Sequence, residues 1–169
     1  MSQTHAAATT DNVIQGEVKT RIDRWLARYP DDQKQSAVIA ALRIVQETQG
    51  GHLTKDMMDQ VADYLDMTPI SVYEVATFYS NYEHKPVGRH KICLCTNISC
   101  MLRGSDELLH YLENKLNVKV GEVTPDGKFS IKKVECLGAC GGAPMMQIGK
   151  VFYEDLTEAR VDEILDNLE

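Results

Sequence analysis

Five cysteines offer chemistry in this sequence, and all lie in its second half: Cys93, Cys95, Cys100, Cys136 and Cys140. Cys95 and Cys100 enclose four residues, Cys136 and Cys140 enclose three, and thirty-five residues separate the pairs. Each pair follows a stretch with strand character, RHKIC before the first and SIKKVE before the second. Two strands ending side by side would bring both loops to one sheet edge, where four thiolates converge. Soft sulfur ligands select zinc, copper(I) or iron–sulfur clusters. Structural zinc sites also use two short cysteine loops, so spacing alone leaves a four-cysteine zinc interaction module open. Two features favour a 2Fe-2S cluster. It is wider than one zinc ion and takes two thiolates at each iron, which suits looser loops. The loops are also rich in small residues, TNIS in one and LGA with GGA around the other, so backbone N–H groups can reach the sulfurs of an anionic cluster. The remaining alternative, four inert buried thiols, is disfavoured because free cysteines seldom gather in such loops. Along a strand, Cys93 falls on the same face as Cys95 but roughly 6.6 Å away, too far to share its iron. Cys93 is therefore expected to be a buried, reduced, non-ligand thiol.

Composition narrows the partners. The chain has 169 residues and a formal net charge of −7, the wrong sign for holding nucleic acid through its phosphates. The acidity is spread, with balances of −4 over residues 1–87 and −3 over 88–169. No apolar run approaches the roughly 18 residues of a membrane span, so no direct membrane insertion is expected. MSQTHAAATTDN reads as a polar tail rather than a secretory signal. Without export, a disulfide framework is not expected. His52, His84, His90 and His110 stand at no mutual ligand spacing and read as surface residues. No dinucleotide-type glycine fingerprint is present, so the chain is not expected to bind NADH or flavin itself. No Ser/His/Asp arrangement is apparent and no base stands near Cys93, so no catalytic residue is assigned.

The elements that must position the cysteines form two parts. Residues 1–12 are the tail and 13–83 the helical front. The polar 84–88, which includes Pro86 and Gly88, is a linker, and 89–169 is the cysteine-bearing back part. In front, Val18, Ile22, Trp25 and Leu26 recur at helical spacing, followed by Val38, Leu42 and Val45. Thr54 is placed to cap a helix carrying Met58, Val61 and Leu65, and Thr68-Pro69 to open one carrying Val72, Val75 and Ala76. Four helices predict a small bundle. Its third helix carries Asp56, Asp59, Asp63 and Asp66, which sets aside a helix-turn-helix reading. Behind, Arg89–Cys93 and Lys128–Glu135 read as strands, and Glu107–Leu116 as a helix. Met145–Ile148 and Val151–Tyr153 read as a hairpin, and Leu156–Leu168 as a closing helix capped by Thr157. Met145 and Met146 are expected to shield the cysteine site from water. The class is α+β or α/β.

CTNISCMLRGS, GEVTPDGKFSIKKVECLGACGGAPMMQIG, YEDLT and, in front, SVYEVATFYSNY resemble a known family. It is the family of small 2Fe-2S subunits of NADH-quinone oxidoreductases, from the NADH-dehydrogenase module of respiratory complex I. The resemblance runs from about Val13 to the C-terminus. It implies a helical bundle followed by a thioredoxin-like 2Fe-2S ferredoxin domain, and one cluster held by Cys95, Cys100, Cys136 and Cys140. It also implies a flavoprotein partner that binds FMN and NADH, other peripheral-arm subunits, and a place at the cytoplasmic or matrix-equivalent face of the membrane. Related subunits serve NAD-dependent hydrogenases and formate dehydrogenases. Cys93 is the extra thiol beside the matching ligand positions.

Overall fold

The computed structural model describes residues 12–168. These contain seven α-helices and one four-stranded sheet, divided into two compact units with the boundary between Pro86 and Val87.

In the first unit, α1 (Gly16–Leu26) leads through a 3-10 segment (Asp31–Ala37) into α2 (Val38–Thr48), α3 (Lys55–Leu65) and α4 (Pro69–Phe78). Ile22, Leu42, Val45, Val61, Val72 and Ala76 are fully buried in one shared core. Each large aliphatic side chain so buried contributes about 1.5–3 kcal/mol. The Thr54 hydroxyl accepts from Met57 N–H and caps α3 as expected. Thr68 stands at the N-cap of α4 without a side-chain cap bond; its hydroxyl pairs with that of Ser71 at 2.8 Å. Only Val72 and Ala76 of α4 are buried, whereas Ile70 and Phe78 are 62% and 79% exposed. After α4 the chain is tied back: Leu53 N–H donates to the Glu83 carbonyl at 2.7 Å, and Tyr82 O–H to the Ile39 carbonyl at 2.8 Å.

The second unit is a mixed sheet in the order β2-β1-β3-β4. Its strands are β1 (His90–Cys95), β2 (Phe129–Val134), β3 (Met146–Ile148) and β4 (Val151–Tyr153). β1 and β2 are parallel, so the chain must cross back between them. It does so through α5 (Ile98–Leu102) and α6 (Ser105–Leu116). β3 and β4 form the expected hairpin, with β3 antiparallel to β1. α7 (Glu158–Asp166) closes the chain, and Thr157 caps it by accepting from Arg160 N–H. Ile92, Leu94, Leu112, Ile131, Met146 and Val161 are among the buried members of the main core. Gly88 is built into the sheet: a Cβ there would lie 2.6 Å from Ser130 N and 2.7 Å from Phe129 O. Its N–H donates to Ser130 Oγ at 3.0 Å, which satisfies that buried hydroxyl.

Candidate metal centre

Parallel pairing decides where the cysteines meet. Cys95 ends β1 directly opposite Val134, which ends β2. Cys136 follows Val134 by two residues, so both cysteine loops leave the sheet at one edge. Thr96 N–H extends the pairing, donating to the Val134 carbonyl at 3.0 Å. From the other side, the Met145 carbonyl accepts Cys95 N–H at 3.1 Å. Cys95 therefore lies within the strand, two residues beyond the Cys93 end expected from sequence, and is held by backbone on both flanks.

Asn97 then turns the chain, its side-chain oxygen accepting Ile98 N–H at 2.6 Å. The single turn-and-a-half of α5 brings Cys100 back against Cys95 and leaves Ile98 and Leu102 on the outside. Cys95 and Cys100 are 3% and 1% exposed. They share a small apolar cluster with Ala143 and Met145, flanked by Leu137 and Ala139. The Cys95 thiol donates to the Glu135 carbonyl at 3.7 Å. Burial pushes the Cys100 thiol up, its hydrogen bond with Cys95 adds to this, and the backbone of Met145 pulls it down. Electrostatic interaction with Cys95 and Cys140 raises it further. A thiolate is disfavoured there until a soft cation compensates it.

The second pair differs. Cys136 and Cys140 are exposed, on a segment whose regular structure is a 3-10 turn at Cys140–Gly142. Among the described residues, no three His, Cys, Asp or Glu side chains stand close enough to hold one metal ion. The structure thus brings Cys95 and Cys100 together and leaves Cys136 and Cys140 exposed on the loop that follows β2. The residues present fit a 2Fe-2S group in donor chemistry: four soft thiols, two loops at one edge, and exposed Gly138 and Gly141 that leave backbone accessible.

Three sequence expectations change. Met145 belongs to the cysteine cluster, but Met146 points into the main core, because neighbouring residues alternate faces. Cys93 is half-buried rather than buried: it shares the face of Cys95, but farther from the edge where that small cluster forms. His84 and His110 are exposed as expected. His52 and His90 are half-buried, and His52 Nδ1 is secluded with no hydrogen-bond partner. Sequence reasoning also missed α5, which is too short to show a periodicity, and the turn after β4, whose contacts are distant in sequence.

The family model for the thioredoxin-like [2Fe-2S] ferredoxin matches residues 22–169. The chain is 44% identical over 150 residues to an NADH-quinone oxidoreductase subunit of Rhizobium meliloti (strain 1021), covering 89% of this chain and 88% of that protein. It is 43% identical over 148 residues to mitochondrial NADH dehydrogenase (ubiquinone) flavoprotein 2 of Dictyostelium discoideum, covering 88% of this chain but only 60% of that protein. Among solved structures it resembles a chain of an NAD+-reducing [NiFe]-hydrogenase in the air-oxidised state. There the TM-score is 0.67 over 83% of this chain and 24% of that chain, and the 18% identity makes this a likeness of fold. With the family model matched across both units and with these relatives, the chain belongs to the thioredoxin-like [2Fe-2S] ferredoxin family.

Proposed function

We propose that this chain is an electron-transfer subunit of the NADH-oxidising module of respiratory NADH:quinone oxidoreductase. The observation that carries the reading is the pair of cysteine loops delivered to one edge by parallel β1 and β2, in a chain of this family. Cys95 and Cys100 would hold one iron of a 2Fe-2S cluster, and Cys136 and Cys140 the other. The cluster supplies single-electron acceptance and donation. The chain's own residues bury the inner pair in an apolar pocket, exclude water with Met145 and offer backbone donors from the glycine-bearing loop. FMN and NADH belong to a flavoprotein partner, and other peripheral-arm subunits complete the assembly at the cytoplasmic or matrix-equivalent membrane face. No helix among the described residues is long and apolar enough to cross a membrane, in keeping with a peripheral position.

The front, residues 13–83, is read as a four-helix bundle that docks to the flavoprotein, joined by a linker at 84–88 to the cluster domain at 89–169. The exposed Ile70 and Phe78 support such docking, as large apolar groups left at a surface. Removing residues up to Glu83 should leave the cluster absorbance largely intact and weaken co-purification with the flavoprotein; full co-purification would assign docking to the back domain. A corresponding place in an NAD-dependent hydrogenase is the second reading, favoured by the fold likeness to that enzyme's chain. The deciding experiment for the cluster is anaerobic purification, iron and acid-labile sulfide analysis, and EPR after dithionite. About two irons and two sulfides with an S = 1/2 signal are expected; stoichiometric zinc without iron would falsify the reading.

A further inference from the structure

The turn Glu154-Asp155-Leu156 leaves β4 and lies along Gly142–Pro144, the segment that follows Cys140. Asp155 N–H donates to the Gly142 carbonyl at 2.7 Å, and Leu156 N–H to the Pro144 carbonyl at 3.0 Å. Asp155 adopts φ +51°, a left-handed conformation that lets two successive amides serve the same loop. The Glu154 side chain closes over Gly142. A Cβ on Gly142 would stand 2.6 Å from Glu154 Cβ and 2.8 Å from its Cδ, closer than any real contact allows. Gly142 is buried although Cys140 and Gly141 before it are exposed.

The turn is anchored at both ends. β4 pairs with β3, with Tyr153 opposite Met146. Leu156 is 4% exposed in the main core, and Thr157 caps α7. The exposed cysteine loop therefore takes its order from the core through these three residues. Glu154 also brings a carboxylate to the loop that carries Cys140. A negative charge beside an anionic cluster opposes the arrival of another electron, and an exposed charge does so less as salt screens it.

We propose that Glu154–Leu156 is a strap that positions the Cys136/Cys140 loop, with Glu154 a positioning residue that also sets how readily the cluster is reduced. The inference rests on the reading that this chain carries a 2Fe-2S cluster. The test uses the full chain with its cluster, an iron chelator to time cluster loss, and redox titration followed by EPR. Gly142→Ala should lose iron at least about tenfold faster than wild type. Adding Glu154→Gly should bring the rate back to that of Glu154→Gly alone, because the Cβ and carboxylate that the new methyl would meet are both gone. Glu154→Gln should keep its cluster but show a higher midpoint potential, with the difference shrinking as salt is raised. Wild-type iron loss in Gly142→Ala, a double variant as leaky as the single one, or a wild-type potential in Glu154→Gln overturns the proposal. If Gly142→Ala does not fold by circular dichroism, Glu154→Ala decides positioning: faster iron loss is expected, and a wild-type rate overturns it. A wild-type protein that holds no iron refutes the cluster reading instead, since these comparisons all start from a loaded chain.

Discussion

The two cysteine pairs are held by opposite means. Cys95 and Cys100 sit at the end of a strand and in a helical turn, almost wholly buried in an apolar pocket. Cys136 and Cys140 lie exposed on a loop fixed from outside by a neighbouring turn. The same residue type thus serves two purposes. One pair is pre-ordered with the sheet, at the cost of placing the Cys100 thiol where burial disfavours its ionised form. The other keeps its thiols exposed, but its order is borrowed from elsewhere. A site built this way has a stiff half that sets geometry and an accessible half that can receive a metal.

The largest effect should come from breaking the stiff half. Cys95→Ala should abolish iron binding, measured as iron per chain. Should iron persist, the double variant Cys93→Ala/Cys95→Ala tests whether Cys93 has taken over, because both lie on one face of β1. The contrast itself is readable in the metal-free protein by timed alkylation and mass spectrometry. Cys136 and Cys140 should label before Cys95 and Cys100; the reverse order would sink the distinction. Gly88→Ala should force the start of β1 away from β2 and destabilise the second unit by about 1–3 kcal/mol in urea unfolding, as overpacking does.

Smaller effects mark the edges of the comparison. Cys93→Ala should retain a full cluster and lose less than about 1 kcal/mol, since the residue is half-buried and lies outside both apolar clusters. One small source of acid sensitivity lies in the helical unit. The Lys55 ammonium and the Tyr73 hydroxyl hold the Asp59 carboxyl below its usual range. Its contribution is therefore complete above the unfolded carboxylate pKa of about 4 and fades as pH falls through the lower folded value. The pair is exposed, so Asp59→Asn should cost under about 1 kcal/mol at neutral pH and nearly nothing once acid has protonated the carboxyl.

Legibility followed physics. Long periodic stripes such as Val38, Leu42 and Val45 mark α2, and the alternation Phe129, Ile131 marks β2, because burial on one face repeats with the element. Cysteine spacing named the ligand candidates but not their depth. Alternation tells which face Cys93 takes, not whether anything covers it, and Met145 and Met146 look alike in sequence while facing opposite sides. The pattern ends β1 at Cys93, two residues short, because Cys95 opens a spaced cysteine pair and so looks like a loop residue. Contacts such as Glu154 on Gly142 join residues that no local pattern relates.

Among the described residues, the main core of the second unit contains no cysteine; its buried members are aliphatic side chains, one phenylalanine and one methionine. Its packing is complete without reference to the sulfur ligands, unlike small domains whose metal is their core. Folding then need not wait for cofactor delivery. A newly made chain can fold first and wait for its iron and sulfide. A chain stripped by oxidation should then keep its fold and accept a new cluster, which circular dichroism before and after reconstitution would check.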